Sequence, residues 1–247
     1  MNMRQHRIPR LNASWPFSLA LVAIVLTFAP GRGAEAGGII YVNRCIGDCT
    51  VTPGLDDAIN GKSSIPSQPS TLTEFMQGDA AFNATVACLR GLFASYDVTV
   101  TATNPGAVAR RELMLAGNAS QLSVGATLGI APSSGDGTAL DNVIAFTFAN
   151  DIGADVDTLC WVGAAQIAFV YGLEPEYYCP DITGYATSCG LKSFADHDAP
   201  CGTYSAETTC MYSTGAATQN SAQRLAANAG LSDRLLLAEF EPPTPAP

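Results

Sequence analysis

The amino-acid sequence predicts a single domain of the α/β or α+β class, built on a twisted mixed sheet. Three observations predict it: 47% of the 247 residues are hydrophobic, short β-branched runs alternate with helical patterns, and one helical pattern is apolar on nearly every face. A chain of this size can bury one sizeable core. A helix without a polar face must be covered on all sides. We therefore expect a buried central helix, followed by Cys-rich C-terminal loops.

The first 36 residues have the pattern of an export signal. A leader with three arginines precedes an apolar run over residues 15–29, and Ala34-Glu35-Ala36 fits a signal peptidase site. A membrane anchor is the alternative, but this run is shorter than the roughly 20 residues that span a bilayer. We predict cleavage before Gly37, no membrane attachment afterwards, and a secreted product that is extracellular or periplasmic.

The charge balance excludes several classes of partner. The whole chain has 12 Lys and Arg against 22 Asp and Glu, and residues 37–247 keep 8 and 21, a net charge of −13. No basic cluster interrupts this negative field, which argues against nucleic acid and anionic lipid as partners. His6 and His197 are the two histidines of the chain, too few for a three-histidine zinc site.

All eight cysteines follow the predicted signal, at positions 45, 49, 88, 160, 179, 189, 201 and 210. An exported protein meets an oxidising environment, so four disulfides are expected. The sequence does not fix the pairing. Proximity favours three local pairs, which leaves a long-range fourth: Cys45–Cys49, Cys179–Cys189, Cys201–Cys210 and Cys88–Cys160. A thiolate zinc site is the alternative, although the chain has no C-x-x-C pair.

The N-terminal half of the mature chain predicts a strand, a loop and an amphipathic helix. Residues 38–43 (GIIYVN) are typical of a buried strand, and residues 44–70 are rich in Gly, Ser, Pro and Asp, which predicts a loop. Thr71 and Glu74 have the spacing of a capping box at a helix start. An apolar stripe at helical spacing then predicts a helix that ends near residue 96. The stripe consists of Phe82, Val86, Leu89 and Phe93.

The C-terminal half predicts further strands and two helices. Strands are predicted over residues 97–102, 112–115, part of 121–130, and 142–148. Asp155 or Asp157 caps the buried helix, which runs to Gly172. An amphipathic helix over about residues 218–229 closes the domain, which we bound at residues 37–235. The Pro-rich tail over residues 236–247 is expected to be disordered.

Four features of the sequence are candidate chemical sites. Residues 54–63 end in Gly-Lys-Ser, but the glycine spacing is wrong for a phosphate loop, so we predict a turn. Asp136 and Asp141 flank a glycine turn that could hold calcium weakly, although a solvated turn is favoured. Glu174 and Glu176 could act as paired carboxylates, yet such a pair just past a helix end is typically solvated. His197 has no serine or thiol partner, so we interpret it as an ordinary loop histidine.

Residues 165–176 (AQIAFVYGLEPE) resemble the active-site stretch of metzincin-type zinc metalloproteases, H-E-x-x-H-x-x-G-x-x-H. Gly172 aligns with the glycine that ends the family's helix. The three histidine positions then fall on Ala165, Phe169 and Pro175. The position of the family's glutamate falls on Gln166.

The likeness continues downstream over most of the mature chain. Residues 179–190 (CPDITGYATSCG) resemble the Met-turn segment of bacterial exported members, and Thr183 stands at the methionine position. Residues 192–202 and 218–225 extend the likeness. The resemblance implies a single metzincin-like domain.

The replacements remove the family's chemistry. A catalytic zinc needs three donor side chains, and the three aligned residues offer none. Gln166 cannot take a proton from a metal-bound water. We therefore expect no zinc or other cofactor, no catalytic residue, and a pseudoenzyme that binds an unidentified protein or peptide ligand in the old cleft or has a structural role.

Three alternatives remain open on the sequence alone. The stretch is a plain core helix that matches by chance, or the protein is a purely structural surface or matrix protein. The third alternative is an active metallopeptidase or hydrolase with non-standard ligands drawn from five residues. Those residues are Glu174, Glu176, Asp181, Asp196 and His197.

Overall fold

The computed structural model describes residues 38–204, 206–212 and 216–233. The predicted export signal over residues 1–36 and the predicted disordered tail over residues 236–247 lie outside the described residues. No helix in the described ranges combines the length and apolarity needed to cross a bilayer.

Along the described chain, runs of short strands are separated by helices. The strands are β1 (Gly38–Asn43), β2 (Cys49–Pro53), β3 (Lys62–Ser63), β4 (Ser70–Leu72), β5 (Val98–Thr101), β6 (Arg111–Ala116), β7 (Gly129–Ile130), β8 (Val143–Phe148), β9 (Ala199–Thr203), β10 (Ala206–Thr208) and β11 (Thr218–Gln219). The α-helices are α1 (Gly78–Leu92), α2 (Ala149–Ile152), α3 (Val156–Val170) and α4 (Ser221–Ala229).

The central sheet has five strands in the order β5-β1-β6-β8-β7. Neighbouring strands are parallel except at one edge, where β7 runs antiparallel to β8. Every residue of β6 and β8 is buried, as expected for parallel strands covered on both faces. The predicted mixed α/β architecture is confirmed.

Helix α3 lies against one face of this sheet, with α1 beside it. Asp155 caps α3 by accepting a hydrogen bond from the backbone N–H of Thr158 at 3.3 Å. Gly163 permits the close approach of helix and sheet, since a Cβ there would lie 2.9 Å from Cδ2 of Leu113. The predicted buried helix is therefore confirmed, although it ends at Val170, and the predicted helix before it ends at Leu92, short of residue 96.

A second sheet, β3-β2-β4, packs against the other face of the central sheet, where its Val51 and Leu72 share a buried core cluster with Ile144. The prediction of an unbroken loop over residues 44–70 is therefore wrong. So is the capping box at Thr71 and Glu74, because Thr71 lies in β4 and α1 begins at Gly78. The cause is long-range pairing: β4 pairs antiparallel with β2 and buries Leu72 completely.

A buried ion pair links the central sheet to the turn between β2 and β3. Arg110 and Glu112 are 6% and 3% exposed, and their Nη2 and Oε2 atoms are 2.7 Å apart. Asn43 donates a hydrogen bond to Glu112 Oε1 at 2.7 Å, and Arg110 donates to the carbonyl of Ala58 at 2.9 Å. The charges are thus paired and hydrogen-bonded, as burial requires.

All eight cysteines are paired in the four combinations that proximity favours. The three local disulfides join residues 4, 10 and 9 positions apart. The Cys88–Cys160 disulfide joins residues 72 positions apart, with Cα atoms separated by 6.1 Å, and fixes α1 to α3. Two of the local disulfides close rings in the C-terminal loops, where β9 pairs with β10 and β11 in a third sheet.

Candidate functional site

The site is built on the turn that ends helix α3. Gly172 adopts φ +81°, and a Cβ at this position would lie 2.2 Å from the carbonyl oxygen of Gly137. The backbone N–H of Leu173 returns to the carbonyl of Ala168 at 3.1 Å, the bond expected of a glycine-terminated helix. Only glycine fits at position 172. This is the residue that the resemblance aligns with the glycine of the protease motif.

The chain after this turn joins the third sheet. The N–H of Tyr177 donates to the carbonyl of Pro200 at 2.8 Å, and the N–H of Gly202 donates to the carbonyl of Pro175 at 2.9 Å. Residues 175–177 therefore run beside β9. Tyr177 and Tyr204, which follows β9, both line the cavity described below.

The same pairing carries two acidic residues into the interior. Glu174 and Glu176 are 5% and 1% exposed, so the expectation that this pair is solvated is wrong. The carboxylate of Glu174 accepts hydrogen bonds from the backbone N–H groups of Met211 and Tyr212 at 2.8 and 2.7 Å. Glu174 thus holds the loop after β10 in place and has a structural role.

Glu176 has a poorer set of partners. Its Oε1 accepts one hydrogen bond from the Gln219 side chain at 3.1 Å, and its Oε2 atom has no partner among the described residues. Burial, and then the negative charge of Asp181, raise the pKa of Glu176 to about 8. This carboxyl is therefore protonated at neutral pH.

Asp181 ties the segment that resembles a Met-turn to helix α4. Its Oδ1 accepts from the N–H and the hydroxyl of Thr183 at 2.7 and 2.8 Å. Its Oδ2 accepts from the N–H of Ala195 at 2.9 Å and from the hydroxyl of Ser221. Thr183 itself is buried and accepts from the N–H of Glu176 at 3.2 Å, so the aligned methionine position is filled by a hydrogen-bonded hydroxyl.

A lysine holds the loop that follows. The Nζ of Lys192 donates to the carbonyls of Cys179, Asp181 and Gly184 at 2.8, 3.0 and 2.6 Å. Burial lowers the pKa of this amine, but three carbonyl acceptors satisfy its three donors. These bonds anchor the disulfide ring Cys179–Cys189, in which residues 186–188 are exposed.

Above this scaffold lies a cavity of about 230 Å³ that we call the tyrosine pocket. Its wall consists of four tyrosine side chains, the buried Glu176, and backbone of the rings closed by the Cys179–Cys189 and Cys201–Cys210 disulfides. The lining residues are Glu176, Tyr177, Tyr178, Cys179, Gly184, Tyr185, Ala186, Gly202, Thr203 and Tyr204.

Two further cavities adjoin the tyrosine pocket. The strand-edge groove, of about 410 Å³, shares Tyr185 with the pocket and is lined by residues 124–127 and 129–131 together with Gln166 and Phe169. A third cavity, of about 540 Å³, shares Tyr204 with the pocket and includes Leu128 and Asp151. The three cavities therefore lie side by side near β7, and we refer to them together as the depression.

The positions aligned with the protease motif divide between this depression and the core. Gln166 and Phe169 line the strand-edge groove, where Phe169 stacks on Tyr185 with ring centroids 6.4 Å apart. Ala165 is buried in the core cluster with the helix interior. Pro175 is half-buried, and its carbonyl is used by β9. The structure thus brings Gln166 and Phe169 together in one groove, with Ala165 and Pro175 outside the lining.

The proposed non-standard ligands do not converge in the described part of the chain. Asp196 is exposed and accepts from Asn220 and Gln223 at 2.9 Å each. His197 is exposed and stacks on Tyr178 with centroids 4.4 Å apart. Among the described residues, one group of three ligand-type atoms lies within 4.8 Å: Glu174, Cys201 and Cys210. Its two sulfurs are joined in a disulfide, so they are not thiolate ligands.

The remaining candidate motifs have local roles. Asp136 accepts from the N–H and hydroxyl of Thr138, and these bonds lower its pKa to about 2. Asp141 pairs with Arg111 at 2.6 Å. Residues 54–63 form a 3₁₀ turn and the short β3, a local turn structure rather than a strand-fed loop opening a helix.

Sequence reasoning missed the tyrosine pocket. Tyr185 lies inside the Met-turn-like segment and Tyr204 lies between Cys201 and Cys210, so the concentration of tyrosines within Cys-rich loops was the available signal.

Comparison with known proteins adds no assignment, because no protein-family model, curated protein or solved structure matches this chain.

Proposed function

We propose that this chain is an exported, disulfide-stabilised domain of metzincin-like layout that binds a protein or peptide ligand without catalysis. One observation carries the proposal: a formed groove runs beside the helix where the resemblance aligns the protease motif, and the motif residues that line it are Gln166 and Phe169. An amide and a phenyl ring offer neither a catalytic zinc ligand set nor a general base.

The groove has the composition of a binding surface. Its walls combine apolar side chains and two aromatic rings, Phe169 and Tyr185, with polar groups that include Gln166, a mixture that ligand sites usually have. In the two adjoining cavities, Tyr177, Tyr204 and Leu128 are 44%, 76% and 38% exposed. Large exposed aromatic residues that cluster around a concavity favour recognition.

The edge strand of the groove favours side-chain recognition over strand addition. The hydroxyl of Thr127 donates to the carbonyl of Gly129 at 2.8 Å and accepts from its N–H at 3.4 Å. A neighbouring side chain thus satisfies backbone groups of β7, which is one way in which proteins protect an edge strand. We infer that the ligand is held chiefly by the groove's side chains.

The first experiment tests catalysis and metal on the unmodified oxidised protein. Elemental analysis should find no stoichiometric zinc, and unfolded protein substrates should remain intact. A positional-scanning library of acetylated hexapeptide amides should show saturable binding, weakened when Phe169→Ala empties part of the groove wall. Chelator-sensitive proteolysis would overturn the proposal and direct attention to Glu174, Glu176 and His197.

A second experiment tests the metzincin-like layout. The quadruple variant Ala165→His, Gln166→Glu, Phe169→His and Pro175→His should bind zinc. Its matched control retains Pro175, because two histidines one helical turn apart can bind metal without a third ligand. If position 175 converges on the site, the quadruple variant should bind zinc about 10-fold more tightly or better, as expected of an added ligand. Equal affinities of two folded variants would contradict the layout while leaving the binding function intact.

A further inference from the structure

The tyrosine pocket presents aromatic ring faces at close range. Tyr185 and Tyr204 have ring centroids 5.0 Å apart and an interplanar angle of 36°, so the two rings form a tilted pair. Tyr177 and Tyr178 contribute further parts of the wall. Aromatic faces carry negative electrostatic potential and attract cations within about 6 Å of the ring centroid.

The charges around the pocket have the matching sign. In the described structure, none of the residues that line the three adjoining cavities is Lys or Arg. Asp151 lines the third cavity, and the protonated Glu176 adds no positive charge to the tyrosine pocket. The nearby Lys192 donates its amine to three backbone carbonyls behind the loop. With a net charge of −13 over residues 37–247, the surroundings attract cations and repel anions.

The pocket is also large enough for a basic side chain. At about 30 Å³ per water in the liquid, a cavity of about 230 Å³ holds roughly seven or eight water-sized groups. An arginine side chain has seven non-hydrogen atoms beyond Cα. Its flat guanidinium can stack on a tyrosine ring, which a compact ammonium does less well.

We infer that the tyrosine pocket binds a basic side chain, arginine or lysine, of the protein or peptide ligand. This inference rests on the proposed function and adds the chemical class that the groove selects. The cation would lie against the exposed ring of Tyr204, with Tyr185 beside it, because rings with centroids 5.0 Å apart leave no room between them. The strand-edge groove would receive the neighbouring residues of the ligand. Anionic and neutral side chains would be disfavoured at this position.

The test uses two small probes on the intact oxidised protein. n-Butylguanidinium mimics an arginine side chain, and n-butylurea has nearly the same shape without the charge. Titrations followed by NMR of the tyrosine ring protons should show about 2- to 30-fold tighter binding of the guanidinium, the range expected of one cation–π contact. Equal binding of both probes, or binding of neither at millimolar concentration, would overturn the inference.

Substitutions at Tyr185 and Tyr204 distinguish the contribution of the ring faces from that of the hydroxyl groups. Tyr185→Phe and Tyr204→Phe should keep the preference for the guanidinium, whereas Tyr185→Leu and Tyr204→Leu should abolish it. If the phenylalanine variants also lose the preference while they retain the wild-type circular dichroism, hydroxyl hydrogen bonds would be responsible and the inference would be wrong. The wild-type probe comparison stands even if a leucine variant does not fold.

The hexapeptide library distinguishes failure of this inference from failure of the proposed function. Peptides that bind with a preference for Arg or Lys at one position support both. Peptides that bind without such a preference contradict the inference alone. Absence of any peptide binding contradicts the proposed function, whatever the small probes do.

Discussion

Replacing Glu176 by glutamine should stabilise the protein at pH 8 and change its stability little at pH 4. The side chain is 1% exposed, and its Oε2 atom has no hydrogen-bond partner among the described residues. Burial, with Asp181 and Asp198 adding negative charge nearby, raises the pKa from 4.5 to about 8. Glutamine has nearly the same shape, keeps an acceptor for Gln219 and carries no charge at any pH.

The sign and size of the effect follow from proton linkage. The folded protein keeps this proton up to about pH 8, whereas the unfolded chain releases it near pH 4.5. Because the folded state binds more protons in this interval, the free energy of unfolding falls as the pH rises from about 4.5 to 8. At about 1.4 kcal/mol per pH unit, the total loss above pH 8 is up to about 5 kcal/mol. Glu176→Gln removes this loss.

Urea denaturation of wild type and variant at pH 4, 6 and 8 measures the effect. The matched control is Glu174→Gln, two residues earlier and equally buried. Its carboxylate accepts hydrogen bonds from two backbone N–H groups. The free energy of unfolding of the Glu174→Gln control should therefore be lower than that of the wild type by about 1–3 kcal/mol at pH 8. A Glu176→Gln variant whose stability difference from wild type is the same at pH 4 and pH 8 would refute the reasoning.

Two further predictions concern the disulfides and the buried ion pair. Thiol titration of the denatured, unreduced protein should find no free thiol, since all eight cysteines are paired; two or more thiols per chain would contradict the disulfide set. Glu112→Ala should cost about 3–5 kcal/mol in urea denaturation at neutral pH, because Arg110 would be left buried without its counter-charge. The double variant Arg110→Met, Glu112→Leu should lower the free energy of unfolding by less than Glu112→Ala does. A larger decrease would indicate that the ion pair itself stabilises the fold.

The sequence predicted the strands and helices whose local pattern of apolar residues matches how they are buried in the fold. Residues 142–148 are β-branched and aromatic and form the fully buried β8, while the apolar run after Asp155 forms the covered helix α3. The short strands β2, β3 and β4 could not be predicted in the same way. They have two to five residues each, and their pairing depends on partners that a local pattern does not reveal.

The site was less predictable for the same reason. Glu174 and Glu176 have the local pattern of solvated residues, and only the pairing of residues 175–177 with β9 shows that they are buried. Position 204 lies far along the chain from Tyr177, and neither residue indicates a pocket until the two loops meet. The turn at Gly172 could be predicted, because a helix that ends in a glycine has a local signature.

The two C-terminal disulfide rings make the shape of the tyrosine pocket depend on oxidation. Tyr185 lies within the Cys179–Cys189 ring and Tyr204 within the Cys201–Cys210 ring, whereas the helices are held by the separate Cys88–Cys160 bond. Loops that are already closed have less freedom to lose when a ligand binds. We therefore expect reduction of the two small rings to weaken the proposed ligand binding while the central sheet and its helices persist, so that the redox state of the surroundings would tune the affinity of the folded protein.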